Sequence, residues 1–211
     1  PVPGYAYAEE RPAFLRGIAD GSLNEKKFRF YMVQDYVYLI DYARVFALGV
    51  AKAQDMETMR LFANYVHQIL DGEMDIHKGY MKRLGIALSD AESAKPALDN
   101  RSYTAYMLRI AYDEGPAEIA AAILSCALSY EHIACRILEM HPGADQHPFY
   151  GEWVSGYANE GYHVANQELI SLTERLTAHC TEQQLRRLEE IFTVCSEYEM
   201  SFWDMAWEMR A

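Results

Sequence analysis

The chain has 211 residues, enough for one domain with a sizeable core, and its 51% apolar content excludes a disordered chain. A net charge of −12 argues against a nucleic-acid surface, which needs a basic face to displace counterions. No uninterrupted apolar run has the length of a bilayer span, and Pro1-Val2-Pro3-Gly4-Tyr5 lacks the basic-then-apolar pattern of a secretory leader, so a cytoplasmic protein without membrane or nucleic-acid partners is expected.

Helix signals dominate, and no strand-turn-strand pattern competes with them. Ser22-Leu23-Asn24-Glu25 reads as a capping box, and the helix it opens meets no proline before about Ala53. Asp55 can cap a second long helix, which Gly85 can end. Ser89 to Asn100 reads as a short helix and a connection, followed by a helix from about Ser102 to Asp113. Pro116 opens the next helix, which runs to about Met140 before His141-Pro142-Gly143 breaks it. Pro148 is expected to start another, with Asn159-Glu160-Gly161 as a kink or interruption. Thr181-Glu182-Gln183-Gln184 is a second capping box, and its helix reaches the C-terminus. The expectation is one all-α domain over residues 1–211, a bundle of roughly seven helices.

Four stretches place reactive or polar residues beside aromatics at helical spacing. Cys126 and Tyr130 are four apart, and Asp35, Tyr38 and Tyr42 also share one helix face. Trp153 to Tyr157 is the third stretch, and Glu199 with Phe202 belongs to the fourth. A thiol, two carboxylates and several rings around one cavity suit a flat, polar, cationic heterocycle. None of Cys126, Cys135, Cys180 and Cys195 forms a C-x-x-C pair, so reduced thiols and no zinc site are expected.

The order and spacing of these strings resemble the TenA family, also called thiaminase II. The resemblance rests on Phe28-Arg29-Phe30-Tyr31, on Gln34-Asp35 with Tyr38 and Tyr42, on Ser102-Tyr103-Thr104, and on Cys126 with Tyr130-Glu131. It continues in Trp153 to Tyr157 and in Tyr198-Glu199 with Phe202-Trp203, so that it runs from about residue 13 to residue 207. It implies a haem-oxygenase-like helical bundle that binds no haem, usually a homotetramer, with no cofactor and no metal. The implied activity is hydrolysis at the methylene carbon of 4-amino-2-methylpyrimidines in thiamin salvage. Thiamin or 4-amino-5-aminomethyl-2-methylpyrimidine would yield 4-amino-5-hydroxymethyl-2-methylpyrimidine. Cys126 places the chain in the cysteine-containing subclass.

Read alone, Cys126 lies in a core-like stretch with no adjacent cation and no helix N-terminus, which describes an inert buried thiol. The resemblance makes it the nucleophile, activated by Glu199 acting on a ring nitrogen of the pyrimidine. Asp35 in an apolar face needs a partner; a tyrosine hydroxyl satisfies it in the structural reading, and the 4-amino group of the substrate in the functional one. Tyr38, Tyr42, Tyr103, Tyr130, Tyr157 and Phe202 are the expected lining, with Phe46 extending it and Tyr130 orienting Cys126 or relaying a proton. Cys135 and Cys195 read as packing residues, and Cys180 lies near a loop. Glu160-Gly161-Tyr162-His163 is a single E-x-x-H string, where di-iron bundles use two, and Glu73 and His77 stand at i, i+4 instead. An oxidase on the same bundle, cofactor-free or di-iron, and a non-catalytic pyrimidine-binding regulator are the competing readings.

Overall fold

Side-chain caps fix four of the helix starts. A computed structural model describes residues 13–211; the N-terminal stretch that bears on a leader lies outside the described residues. Helix α1, Ala13–Ala19, buries Phe14, Leu15 and Ile18 and has no counterpart in the expected elements. Helix α2, Glu25–Lys52, is capped by Asn24, whose side chain accepts from Lys26 N. The expected Ser22 cap is therefore corrected. Leu23 N bonds Gly17 O and Ser22 N bonds Asp20 Oδ1, which hold Ser22 in the preceding turn.

Asp55 caps helix α3, Met56–His67, accepting from Thr58 N. The chain continues through a π-helical stretch, Gln68–Glu73, into helix α4, Met74–Arg83. It stops at Gly85, whose φ of +65° few other residues adopt. Helices α2 and α3 approach so closely at Gly49 that a Cβ there would meet the Phe62 ring at 2.8 Å.

After helix α5, Leu88–Glu92, helix α6 spans Leu98–Asp113. It starts ahead of the expected Ser102 because Gln34 of α2 staples its first turn. The Gln34 Oε1 accepts from Ala97 N at 2.9 Å and its Nε2 donates to Lys95 O. Helix α7, Pro116–Met140, begins and ends as expected, with Glu118 accepting from Gly115 N. Helix α8, Gly151–Tyr157, begins after the expected Pro148. His147 Nδ1 accepts from Phe149 N and Tyr150 N, which holds that segment as a turn. Gly151 fits there because a Cβ would lie 2.2 Å from Asp145 O. Asn159 then caps helix α9, Glu160–Thr177, and Thr181 caps helix α10, Glu182–Glu208.

The described residues thus hold ten α-helices and no strand. The three beyond the expected seven are α1 and the two products of breaks, at the π-helical stretch and at Asn159. Helix α7 is the hub, packed by α2, α6, α8, α9 and α10. It is also the one described helix with the length and apolarity to cross a membrane, but 56% of that window is buried inside the protein.

Candidate active site

Five helices aim the expected residues at one buried region. Helix α2 contributes Asp35, Tyr38 and Tyr42, and α6 contributes Tyr103. Helix α7 contributes Cys126 and Tyr130, α8 Tyr157, and α10 Glu199 and Phe202. All nine are buried, Cys126 being the most accessible at 7%. Tyr38 stacks on Tyr42 with ring centroids 5.3 Å apart and lies edge-on to Phe202 at 5.6 Å. Tyr103 tilts against Tyr38 at 5.3 Å. A second group joins Tyr130 to Tyr157 at 4.7 Å and to Trp203 at 5.3 Å.

Asp35 is held by a residue that the sequence reading did not select. His77 Nε2 lies 2.7 Å from Asp35 Oδ2, and His77 Nδ1 lies 2.9 Å from the Glu73 carbonyl. A carbonyl oxygen only accepts, so Nδ1 carries a proton. Burial alone would push the imidazole down, but the bond and charge of Asp35, with Glu73 behind them, hold it above its ordinary value. The two side chains form a buried, hydrogen-bonded pair. Tyr130 donates to Asp35 Oδ1 at 3.4 Å and lies 3.3 Å from the Tyr31 hydroxyl. Its hydroxyl therefore serves Asp35, not Cys126 as expected.

The electrostatics around Cys126 disfavour a thiolate. Burial pushes the thiol well up, the Glu199 charge adds to this, and the Tyr38 hydroxyl relieves only part. Glu73 and Asp35 push it further. Glu199 itself is raised to about 7, chiefly by burial. The Tyr103 hydroxyl and the Cys126 thiol beside it ease its ionisation, and Asp35 and Glu73 oppose it. Contact between Tyr103 and Glu199 is looser than an ordinary hydrogen bond, because Tyr103 Oη is buried without a hydrogen-bond partner. An orphaned hydroxyl of this kind costs about 1–3 kcal/mol, which a bound polar ring would recover.

Beside this cluster opens an apolar cavity of about 140 Å³, walled by Tyr42, Phe46, Tyr65, Tyr157, Tyr162 and Ala127. Phe46 extends the wall as expected. Glu73, at the end of the π-helical stretch, is the one carboxylate among its lining residues. Tyr157 donates to Glu73 Oε1 at 2.9 Å. Burial raises the Glu73 carboxyl to about 7, against the pull of His77. The spacing of Glu73 and His77 was visible in the sequence, but only as a failed metal motif.

Raised carboxyls have a consequence for stability. The folded state holds the Glu199 proton more tightly than the unfolded chain, so a charging cost appears as pH rises from the ordinary 4.5 towards about 7. At ~1.4 kcal/mol per pKa unit that cost reaches about 3 kcal/mol. Glu199→Gln stays neutral at every pH. We expect thermal unfolding of the ligand-free proteins to show the variant more stable than wild type at pH 8 and about equal at pH 5. Equal stability at both values would contradict the burial of a reluctant carboxylate.

Elsewhere, Cys195 is buried as expected, whereas Cys135 is exposed, so its reading as a packing residue is corrected. It falls on the outer face of α7. Among the described residues no group of three or more His, Cys, Asp or Glu side chains is placed to hold a metal ion. His163 of the E-x-x-H string pairs with Glu131.

A profile of the TENA/THI-4/PQQC family matches residues 12–209. An aminopyrimidine aminohydrolase from Helicobacter pylori is 44% identical over 195 residues, which is 92% of this chain and 89% of that protein. The crystal structure of a TenA family transcription regulator from Silicibacter sp. TM1040 superposes with a TM-score of 0.87 at 26% identity, covering 97% of this chain and 91% of that one. A domain of unknown function with a haem oxygenase-like fold, from Shewanella denitrificans OS217, superposes with a TM-score of 0.77 at 15% identity over 97% of this chain and 88% of its own. The last likeness shows the fold alone: the bundle is haem-oxygenase-like.

Proposed function

The chain belongs to the TENA/THI-4/PQQC family, and we propose that it is an aminopyrimidine aminohydrolase working through Cys126 and Glu199. It is a hydrolase of thiamin salvage, acting on thiamin or 4-amino-5-aminomethyl-2-methylpyrimidine. The observation that carries the residue assignment is a neutral thiol beside a carboxyl that holds its proton to about pH 7. Neither group is reactive alone. Together they form an acid–nucleophile pair that a basic ring nitrogen can switch on.

In this reading Glu199 gives its proton to the ring nitrogen, which draws electrons from the ring carbon that the sulfur attacks. The carboxylate so formed takes the proton of the adjacent thiol as the C–S bond forms. The thiol is therefore never a free anion among Glu199, Glu73 and Asp35. Asp35, held by His77, accepts from the 4-amino group and stabilises the positive charge that collects there when the leaving group departs. Tyr38, Tyr42, Tyr103, Tyr130, Tyr157 and Phe202 enclose the ring and exclude water. The orphaned Tyr103 hydroxyl supports a polar ligand at that position.

We read the 211 residues as a single helical domain, cytoplasmic, assembled as a homotetramer. Exposed Met56, Leu98, Tyr112 and Val164 support faces that association would cover. The regulator reading, which one similar structure favours, predicts binding without turnover.

Side-by-side turnover of three pyrimidines tests the function. We expect the aminomethylpyrimidine to be hydrolysed at least as well as thiamin. The cavity lining contains no Lys or Arg and includes Glu73. Thiamin pyrophosphate should therefore have a kcat/KM about 10²-fold below that of thiamin, since like charges brought together cost several kcal/mol. Binding without turnover of any of the three would overturn the hydrolase reading in favour of the regulator.

A further inference from the structure

The proposed pair accounts for attack on the ring, but not for the water that completes hydrolysis. The covalent structure of the substrate says where that water must arrive. Its reacting methylene group is on the ring carbon next to the one bearing the 4-amino group. It points away from the ring nitrogen opposite that amino group. If Asp35 accepts from the amino group and Glu199 serves the opposite nitrogen, the methylene carbon lies on the Asp35 side.

On that side stands Glu73. Its backbone carbonyl holds His77 Nδ1, and His77 holds the Asp35 carboxylate, so one imidazole ties the Glu73 backbone to Asp35. Its side chain is fixed by the Tyr157 hydroxyl at 2.9 Å and faces the cavity that leads away from the cluster. Glu199 and Asp35 do not line that cavity. Glu73 is carried by the π-helical stretch, whose wider turn departs from the α-helices on both sides of it; such stretches recur at functional sites.

We propose that Glu73 is the base for the water that attacks the methylene carbon. The role rests on the aminopyrimidine-hydrolase reading. With the Cys126 sulfur bonded to the ring, the bond from the methylene carbon to the leaving group breaks and its electron pair departs. The leaving group is ammonia from the ammonium form of the aminomethyl substrate, or neutral thiazole from thiazolium. An exocyclic methylene remains, with positive charge shared by the 4-amino group. A water lone pair forms the new C–O bond, the methylene π pair returns to the ring, and the water proton passes to the Glu73 carboxylate. The C–S pair then returns to Cys126, which takes its proton back from Glu199, while the ring nitrogen returns its own proton to Glu199 and the ring is aromatic again. Glu73 releases its proton to the departing ammonia or to solvent.

The groups facing Glu73 are His77 of its own helical run, Asp35 and Tyr42 from α2, and Tyr157 from α8. Cys126 of α7, Tyr162 of α9 and Glu199 of α10 complete the set. Only His77 opposes the negative charges among them. Burial holds the carboxyl at about 7, where a base is half ionised at neutral pH and competent to take a proton from water.

Rapid-quench and steady-state assays with thiamin test the role on the whole enzyme. Glu73→Gln should bind hydroxymethylpyrimidine within about threefold of wild type, the size of an incidental effect. Its steady-state rate should fall by ~10²–10⁴-fold. It should nevertheless release one equivalent of thiazole per site in the first turnover, and intact-protein mass spectrometry should find the pyrimidine on Cys126. Glu73→Asp, which keeps the carboxylate, should recover part of the rate. A Glu73→Gln enzyme with a wild-type rate, or one that loses the first-turnover release together with product binding, overturns the role. A wild-type enzyme that releases neither thiazole from thiamin nor ammonia from the aminomethylpyrimidine overturns the hydrolase reading itself.

Discussion

Cys126→Ala is expected to lose turnover by at least ~10⁴-fold, the scale seen when a covalent nucleophile is removed, while still binding hydroxymethylpyrimidine. The side chain is small and 7% exposed, so truncating it to alanine removes one sulfur atom without leaving a large void. Glu199 loses the thiol hydrogen bond that eases its ionisation, which leaves its carboxyl the more firmly protonated. Affinity and fold should survive, and only the bond-forming step should fail. Cys135→Ala is the control: the residue is exposed, so rate and stability should match wild type within about 0.5 kcal/mol. Near-normal hydrolysis by Cys126→Ala would remove the covalent mechanism.

The helices and most of the candidate lining were legible in the sequence because helical spacing is a local property. Asp35, Tyr38 and Tyr42 share a face whatever packs on it, and Pro116 opens a helix wherever that helix goes. The resemblance then supplied the joint placement of α2, α6, α7, α8 and α10, which no single spacing contains. What stayed hidden depends on contacts between distant elements. The start of α6 at Leu98 follows from Gln34, more than sixty residues earlier in the chain. The pairing of His77 with Asp35 joins two helices, and i, i+4 spacing of Glu73 and His77 carries no sign of a third partner. The partners of Tyr130 stayed hidden for a related reason. Tyr130 shares a face with Cys126, but its hydroxyl bonds Asp35 and lies beside that of Tyr31. The exposure of Cys135 required knowing which face of α7 its neighbours leave uncovered.

Glu199→Gln is expected to lower kcat by ~10²–10⁴-fold with little change in KM. The variant keeps a hydrogen-bonding group of the same size beside the ring nitrogen, so the ground state is held almost as before. It has no proton to give as electron density builds on the ring, and the loss falls on the transition state. The pH dependence separates this from a simple binding defect. An acid must be protonated to act, so ionisation of Glu199 near 7 should draw an alkaline limb in kcat for the wild-type enzyme. Glu73, proposed as a base, must be ionised, and its titration near 7 should draw the acidic limb. The two carboxyls raise each other's pKa through their charges, so the limbs belong to the coupled pair and the profile is a narrow bell. Removing the Glu199 charge should abolish the alkaline limb. Glu73 loses a repelling neighbour at the same time, so the acidic limb that remains should move to lower pH. Glu73→Gln should do the reverse, leaving an alkaline limb alone. A Glu199→Gln enzyme that keeps both limbs, or that loses affinity in proportion to rate, would assign the ring proton to another group.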